Sequence, residues 1–112
     1  TLLRQRHVQD FYSSMQRSTL QLSSEPASDL PTNELLERNI KTRNEPNLYA
    51  LYYQYGRYLL LSSSRKGSLP ANLQGMWANK IQTPWNGDYH TNINVQMNYW
   101  PPEVTNLSET HI

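Results

Sequence analysis

Leu3, His7, Phe11 and Met15 recur every four residues through LLRQRHVQDFYSSMQ, with Val8 and Tyr12 alongside. That spacing predicts an amphipathic helix at the start of the chain. His7 on its apolar face reads more readily as a paired histidine of a core or interface than as a metal ligand. Residues 18–22 alternate polar and apolar and predict a short extended piece, and SSEPASDLPT, residues 23–32, predicts a connector. Thr32 stands ahead of NELLERNI as a candidate N-cap of a short helix, although Leu35 occupies the position where a capping box wants an acid.

The next pattern is stronger. In PNLYALYYQYGRYLLLSS, Pro46 suits a first helical turn, and Leu48, Leu51, Tyr52, Tyr55 and Leu59 trace one stripe, which predicts a helix over residues 46–63. Tyr49, Tyr53 and Leu60 make the other side apolar as well, so neighbours are expected around most of its circumference, with the tyrosines as core packing. Gly56 costs roughly 1 kcal/mol against alanine inside a helix and suggests close approach of another backbone. Gly67, after Ser64-Arg65-Lys66, is expected as a left-handed cap.

Residues 69–91 then run without periodicity. Uninterrupted loops of that length are uncommon inside domains and are usually functional. Helical spacing returns in residues 92–100, where Ile93, Met97 and Trp100 form one stripe expected to anchor the segment in a core, and Pro101-Pro102 is expected to stop it. VTNLSETH resembles the start of a further helix. The sequon Asn106-Leu107-Ser108 is short enough to arise by chance. No internal repeat and no sheet-length strand pattern occurs, so the fold class expected is all-α with one long loop.

Composition narrows the function. The chain has 112 residues, enough for one small domain, and it begins with Thr1 and stops at His111-Ile112, which suggests a piece of a longer protein. A formal charge of +1, with arginines spread among acids, leaves no basic stripe for nucleic acid. No apolar run approaches the ~20 residues of a membrane span, and no signal peptide is legible at the start. With no cysteine there is neither a disulfide framework nor a thiolate site, and His7, His90 and His111 lack metal-ligand spacing, so no metal and no cofactor are expected. Eight tyrosines and three tryptophans against one phenylalanine favour partly wet, amphipathic surfaces.

Loop 69–91 and the residues after it combine Trp77, Trp85 and Tyr89 with Asn72, Gln74, Asn79, Asn86, Asp88, His90, Asn92 and Asn94. Planar amides and carboxylates that bond hydroxyls, beside aromatic faces that cover the apolar side of a pyranose, suit sugar recognition. There is no Ser-His-Asp arrangement, Walker loop or G-x-G-x-x-G fingerprint. Glycoside hydrolysis asks for two carboxyl groups, about 6.5–9.5 Å apart in inverting enzymes and about 5 Å apart in retaining ones. Asp88 and Glu103 are the only acids near this cluster, and Glu103 sits beyond the Pro-Pro break, where a simply solvated carboxylate is the alternative to a pair.

LYALYYQYGRYLLLSSSRKGSLPANLQGMW followed by TPWNGDYHTNINVQMNYWPPEVTNLSETH resembles the start of the catalytic domain of glycoside hydrolase family 95, the inverting α-L-fucosidases. The ordered set of Gln-Tyr-Gly-Arg-Tyr helix, Leu-Pro-Ala-Asn-Leu-Gln-Gly turn, Pro-Trp loop and Asn-Ile-Asn…Met-Asn-Tyr-Trp-Pro segment carries the likeness. It implies a fragment of an (α/α)6 barrel, with residues 1–40 as linker helix and lead-in and residues 41–112 as the N-terminal part of the barrel. It implies that Asn92 and Asn94 position and polarise the attacking water, since an amide carbonyl accepts the water's hydrogen bond without removing a proton. His90 and Trp85 are then expected in the fucose pocket, and Gln74, Trp77 and Asp88 either bind substrate or shape the loop. The family's general acid and base lie downstream of this motif, outside the chain. The resemblance further implies a fucosylated oligosaccharide or glycan as partner, with terminal α-1,2-linked fucose removed by inversion, and a periplasmic or extracellular setting. An α-L-galactosidase of the same family, or a noncatalytic glycan-binding helical module, are the other readings.

Overall fold

Pro46 opens the longest helix because its fixed φ suits a first turn and its missing N–H is not needed there. In the computed structural model, which describes residues 1–111, that helix is α3 (Pro46–Ser63), preceded by α1 (Leu2–Met15) and α2 (Thr32–Thr42) and followed by α4 (Asn94–Asn98) and α5 (Pro101–Val104). Short 3-10 turns lie at Pro84–Gly87 and Ser108–His111. Among the described residues there is no strand beyond an isolated bridge of Asn72 with Gly75, so the fold is all-α as expected. Among the described residues no helix is long and apolar enough to cross a membrane.

The chain divides into two compact units, one formed by Thr1–Ser18 together with the chain from Arg57 onward, the other by Thr19–Gly56. In the first, Leu60, Leu61 and Leu107 are buried, with Phe11, Met15 and Tyr99 packed on them. Each buried leucine contributes about 1.5–3 kcal/mol of apolar burial. Arg57 is 2 % exposed and is the only charged residue between Pro46 and Leu61. Its guanidinium donates to the carbonyls of Ser14 (3.0 Å), Met15 (2.8 Å), Ser18 (2.9 Å) and Thr105 (3.1 Å). Ser14 and Met15 end α1 and Thr105 follows α5, so one cation gathers carbonyls at both helix ends, at the negative pole of each helix, with Ser14 O also accepting the Arg17 N–H at 3.3 Å. Beside it, Phe11 stacks against His7 (4.6 Å) and Tyr58 (5.0 Å), and the Arg65 guanidinium covers the Phe11 ring at 4.6 Å while pairing with Asp10 at 2.5 Å.

In the second unit, Arg43 (φ 50°) ends α2 in the left-handed region, its N–H bonding Asn39 O at 2.8 Å. Arg38 grips Glu45 with both ends of its fork, Nη2 lying 2.8 Å from Oε2 and Nε facing Oε1. Tyr49 Oη reaches Asn39 Oδ1 at 2.9 Å, and Asn47 Nδ2 holds the carbonyls of Glu25 (3.3 Å) and Pro26 (3.2 Å), tying the connector to the start of α3. The hydrogen bond and charge of Arg38 hold the Glu45 carboxyl below its ordinary range, and Glu45 in turn raises Arg38. A hollow of about 610 Å³ in this unit is lined by residues such as Leu35, Leu48 and Leu51 and by none of the candidate sugar-binding residues.

Several expectations change. Pro31, not Thr32, is the N-cap of α2; Thr32 is its first residue. Residues 18–22 form no strand, having no neighbouring strand to complete a ladder. Gly67 (φ +78°) is left-handed but sits in a turn four residues past the end of α3, with Ser68 N–H bonding Arg65 O at 2.9 Å, so it does not cap the helix. A methyl group on Gly56 would meet nothing within 4 Å among the described residues. Most of the α3 stripe is not core: Leu48 is buried, but Tyr52 is 77 % exposed and Leu51 and Tyr55 are about half exposed, because the core of the first unit takes the face of Arg57, Leu60, Leu61 and Ser64. His7 meets aromatic rings at an exposed position rather than lying in the core.

Candidate functional site

Two turns carry the candidate residues. The first brings residues 70–77 against residues 83–89. Leu73 N–H bonds Asp88 O at 3.3 Å, Gln74 Nε2 bonds Pro84 O at 3.3 Å, and Tyr89 Oη bonds Pro70 O at 2.9 Å. Within this staple Trp85 (φ 49°), Asn86 (φ 55°) and Gly87 (φ 63°) are consecutively left-handed, a conformation that costs a residue with a Cβ roughly 1–2 kcal/mol. Gly87 is required twice over: its φ favours glycine, and a Cβ there would lie 2.9 Å from Gln74 Oε1. Trp85 is thereby presented at 72 % exposure.

Gln74 is occupied by this turn. Its Nε2 holds Pro84, and its Oε1 is buried without a hydrogen-bond partner among the described residues. Trp77 lies over Gly75, where an added Cβ would come within 2.7 Å of the indole Cζ3. Asp88 engages the turn through its backbone carbonyl, and its side chain is exposed. The structure thus brings Gln74, Trp77, Trp85 and Asp88 together in one stapled loop.

The second turn holds His90, Asn92 and Asn94. Val95 N–H bonds His90 O at 2.9 Å and Met97 N–H bonds Ile93 O at 2.8 Å. Ile93 precedes α4 with φ 76° and ψ −40°, a genuine outlier for a β-branched side chain. Asn92 and Asn94 flank it, both exposed, and among the described residues no hydrogen bond engages either side-chain amide. The other two amides of this segment are committed. Gln96 Nε2 donates to Thr91 O at 2.5 Å, and Asn98 Nδ2 donates to Asn72 O at 3.3 Å, docking α4 on the first turn.

Tyr99 secures the same junction. Its hydroxyl accepts from Ala71 N–H (2.7 Å) and shares a hydrogen bond with Ser64 Oγ (2.7 Å). Ile93, Met97 and Trp100, expected as the anchoring stripe, are instead about half exposed or more; the segment is held through Tyr99, Asn98 and buried Pro102. α4 ends at Asn98, ahead of Pro101 and Pro102 as expected, and the two prolines also begin α5, with Trp100 as its N-cap, since proline fits the first helical positions. Glu103 pairs with His111 Nδ1 at 2.8 Å, and His111 Nε2 donates to Tyr99 O at 3.1 Å. Arg57, Tyr99 and Gln96 went unrecognised as organising residues in the sequence, although a lone charge in an apolar helix was a usable signal for Arg57.

Against this geometry, a sequence profile of the glycosyl hydrolase family 95 catalytic domain matches residues 1–112. The chain belongs to family 95. Its helical fold is part of the helical barrel of that family's catalytic domain. This family 95 chain is 45 % identical over 108 residues to probable alpha-fucosidase A of Aspergillus niger, covering 96 % of the chain and 14 % of that protein. It is 44 % identical over 113 residues to alpha-L-fucosidase 2 of Arabidopsis thaliana, covering 93 % and 13 % respectively. Probable alpha-fucosidase A of Aspergillus oryzae is 44 % identical over 110 residues, with 96 % of the chain and 15 % of that protein covered. The chain therefore spans about one-seventh of the length of the relatives it matches.

Proposed function

We propose that this chain is part of an α-L-fucosidase that removes terminal α-1,2-linked L-fucose from glycans by inversion, with Asn92 and Asn94 orienting the attacking water. The observation that carries the reading is the contrast within one segment: Gln96 and Asn98 are spent on backbone carbonyls, while Asn92 and Asn94 are exposed and, among the described residues, uncommitted around a strained residue. An amide carbonyl accepts a water proton in a hydrogen bond and aims the oxygen lone pair, while the amide NH2 donates to a sugar hydroxyl. Proton transfer falls in this reading to a general acid and a general base outside this chain, and the pairing of Glu103 with His111 supports leaving Glu103 out of that role.

Trp85, held out of its turn by left-handed backbone, offers an apolar face for the CH side of a pyranose, and His90, on the turn with Asn92, contributes a ring nitrogen to its hydroxyls. Gln74 and Trp77 act by shaping the loop, and Asp88 closes it through its backbone. The names of the relatives support fucose as the sugar. Glycans of this kind are displayed outside the cytoplasm, which favours a periplasmic or extracellular setting.

The test is steady-state kinetics of the full-length protein on a fucosyl substrate, with the matching α-L-galactoside as comparison. Asn92→Ala and Asn94→Ala are each expected to cut kcat by about 10²–10³-fold with a much smaller change in KM, as for an interaction made in the transition state. Raised KM at unchanged kcat would reduce both residues to ground-state binding. Preference for the galactoside would move the substrate assignment.

A further inference from the structure

We propose that Gln96 is a positioning residue for the reaction, acting by holding Ile93 in its left-handed conformation so that Asn92 and Asn94 stay in register with one water; the inference rests on the role proposed above for those two amides. Residues i and i+2 of a helix diverge by about 200° around its axis, so a helical Ile93 would send the two amides to opposite faces. The backbone found at Ile93, φ 76° and ψ −40°, lies near the rare γ-turn conformation, which folds the flanking residues back toward each other. A β-branched residue does not hold that conformation unaided; the surroundings must impose it.

Three hydrogen bonds close the turn. Two are backbone bonds, Val95 N–H to His90 O at 2.9 Å and Met97 N–H to Ile93 O at 2.8 Å. The third is the only side-chain bond among them, from Gln96 Nε2 back over the turn to Thr91 O at 2.5 Å. Thr91 carries Asn92 and Gln96 belongs to α4 with Asn94, so this bond spans the outlier and sets the separation of the two amides. Removing it lets Ile93 relax toward negative φ, and the amides turn apart. Glycine occupies positive φ without a steric penalty, so glycine at residue 93 makes the clamp dispensable.

The experiment is a double-mutant cycle in the full-length protein on a fucosyl substrate. Gln96→Ala is expected to lower kcat by about 10–100-fold with KM changed less than about threefold, the scale of loss from misplacing a reacting group by about 1 Å. Gln96→Glu, which keeps the length but sets a carboxylate against a carbonyl, is expected to lose as much. Adding Ile93→Gly to either variant is expected to recover most of that loss, which a merely structural role of Gln96 does not predict. The inference is overturned if both Gln96 variants keep wild-type kcat, or if Ile93→Gly gives no recovery in folded protein, as judged by far-ultraviolet circular dichroism. If one Gln96 variant does not fold, the other decides by the same criteria; if neither folds, Gln96 supports the fold rather than the amides and the inference is lost. Asn92→Ala and Asn94→Ala run alongside. Should these leave kcat intact, the water-orienting reading itself fails, whereas a loss there combined with an inert Gln96 rejects the clamp alone.

Discussion

The helical core of the first unit and the stapled turns of residues 70–98 are held by different physics. Around Leu60, Leu61 and Leu107 stability comes from burial, with one guanidinium gathering the carbonyls at two helix ends. In the turns almost nothing is fully buried, and the shape is imposed by side chains bonding backbone carbonyls across left-handed residues. Damage to the core should therefore spread through the unit, and damage to the turns should stay local and be felt first in activity.

Arg57→Ala tests the first half of this contrast. The carbonyls of Met15, Ser18 and Thr105 lose the Arg57 donor at roughly 1–3 kcal/mol each, with water recovering part, while Ser14 O keeps the Arg17 N–H, so we expect about 3–5 kcal/mol of destabilisation in denaturant unfolding. Gly87→Ala tests the second half. It should cost about 1–2 kcal/mol from the left-handed φ, with faster amide exchange confined to residues 70–90. Faster exchange through α1 in that variant would erase the distinction between the two regions. Tyr99→Phe sits on the boundary, because its hydroxyl joins Ser64 at the end of α3 to Ala71 in the loop; about 1–1.5 kcal/mol is expected, read as faster exchange of the Ala71 amide.

The smallest effect lies in the other unit. Arg38 holds the folded Glu45 carboxyl below its ordinary range, so the pair contributes stability above the unfolded value, about pH 4.3, and loses it as pH falls through the folded value. A titration of the Glu45 side-chain resonance should show its midpoint below the ordinary range, and Arg38→Ala should return it there. The accompanying change in stability should be slight, as for other solvent-screened pairs.

How far the sequence foretold this structure differs between the same regions. Helices α1 and α3 were legible because their apolar period and Pro46 are local signals. The face of α3 was not legible, because apolar residues on both sides leave the choice to packing partners, and Arg57 went there instead of the tyrosines. In the turns, glycine and the Asn86-Gly87 pair mark left-handed positions, but Trp85 and Ile93 adopt the same region against their preferences, which no propensity announces. The candidate amides could be named, yet the division between bonded Gln96 and Asn98 and uncommitted Asn92 and Asn94 appeared only with the fold.

The grip of Arg57 on the end of α1 also sets a timetable. Arg17 pairs with Glu109 across 92 residues of chain, and Arg57 joins Ser14 and Met15 to Thr105 over a comparable distance. On a ribosome adding about 5–20 residues per second, the carbonyls of Ser14 and Met15 wait roughly two to nine seconds for Arg57, and Arg57 waits about as long again for Thr105. Meanwhile Thr19–Gly56, whose contacts are local, can settle first. A pause in synthesis between Arg57 and Thr105 would prolong the interval in which the leucines of this core stand uncovered, making that stretch of the message a place where translation speed governs yield.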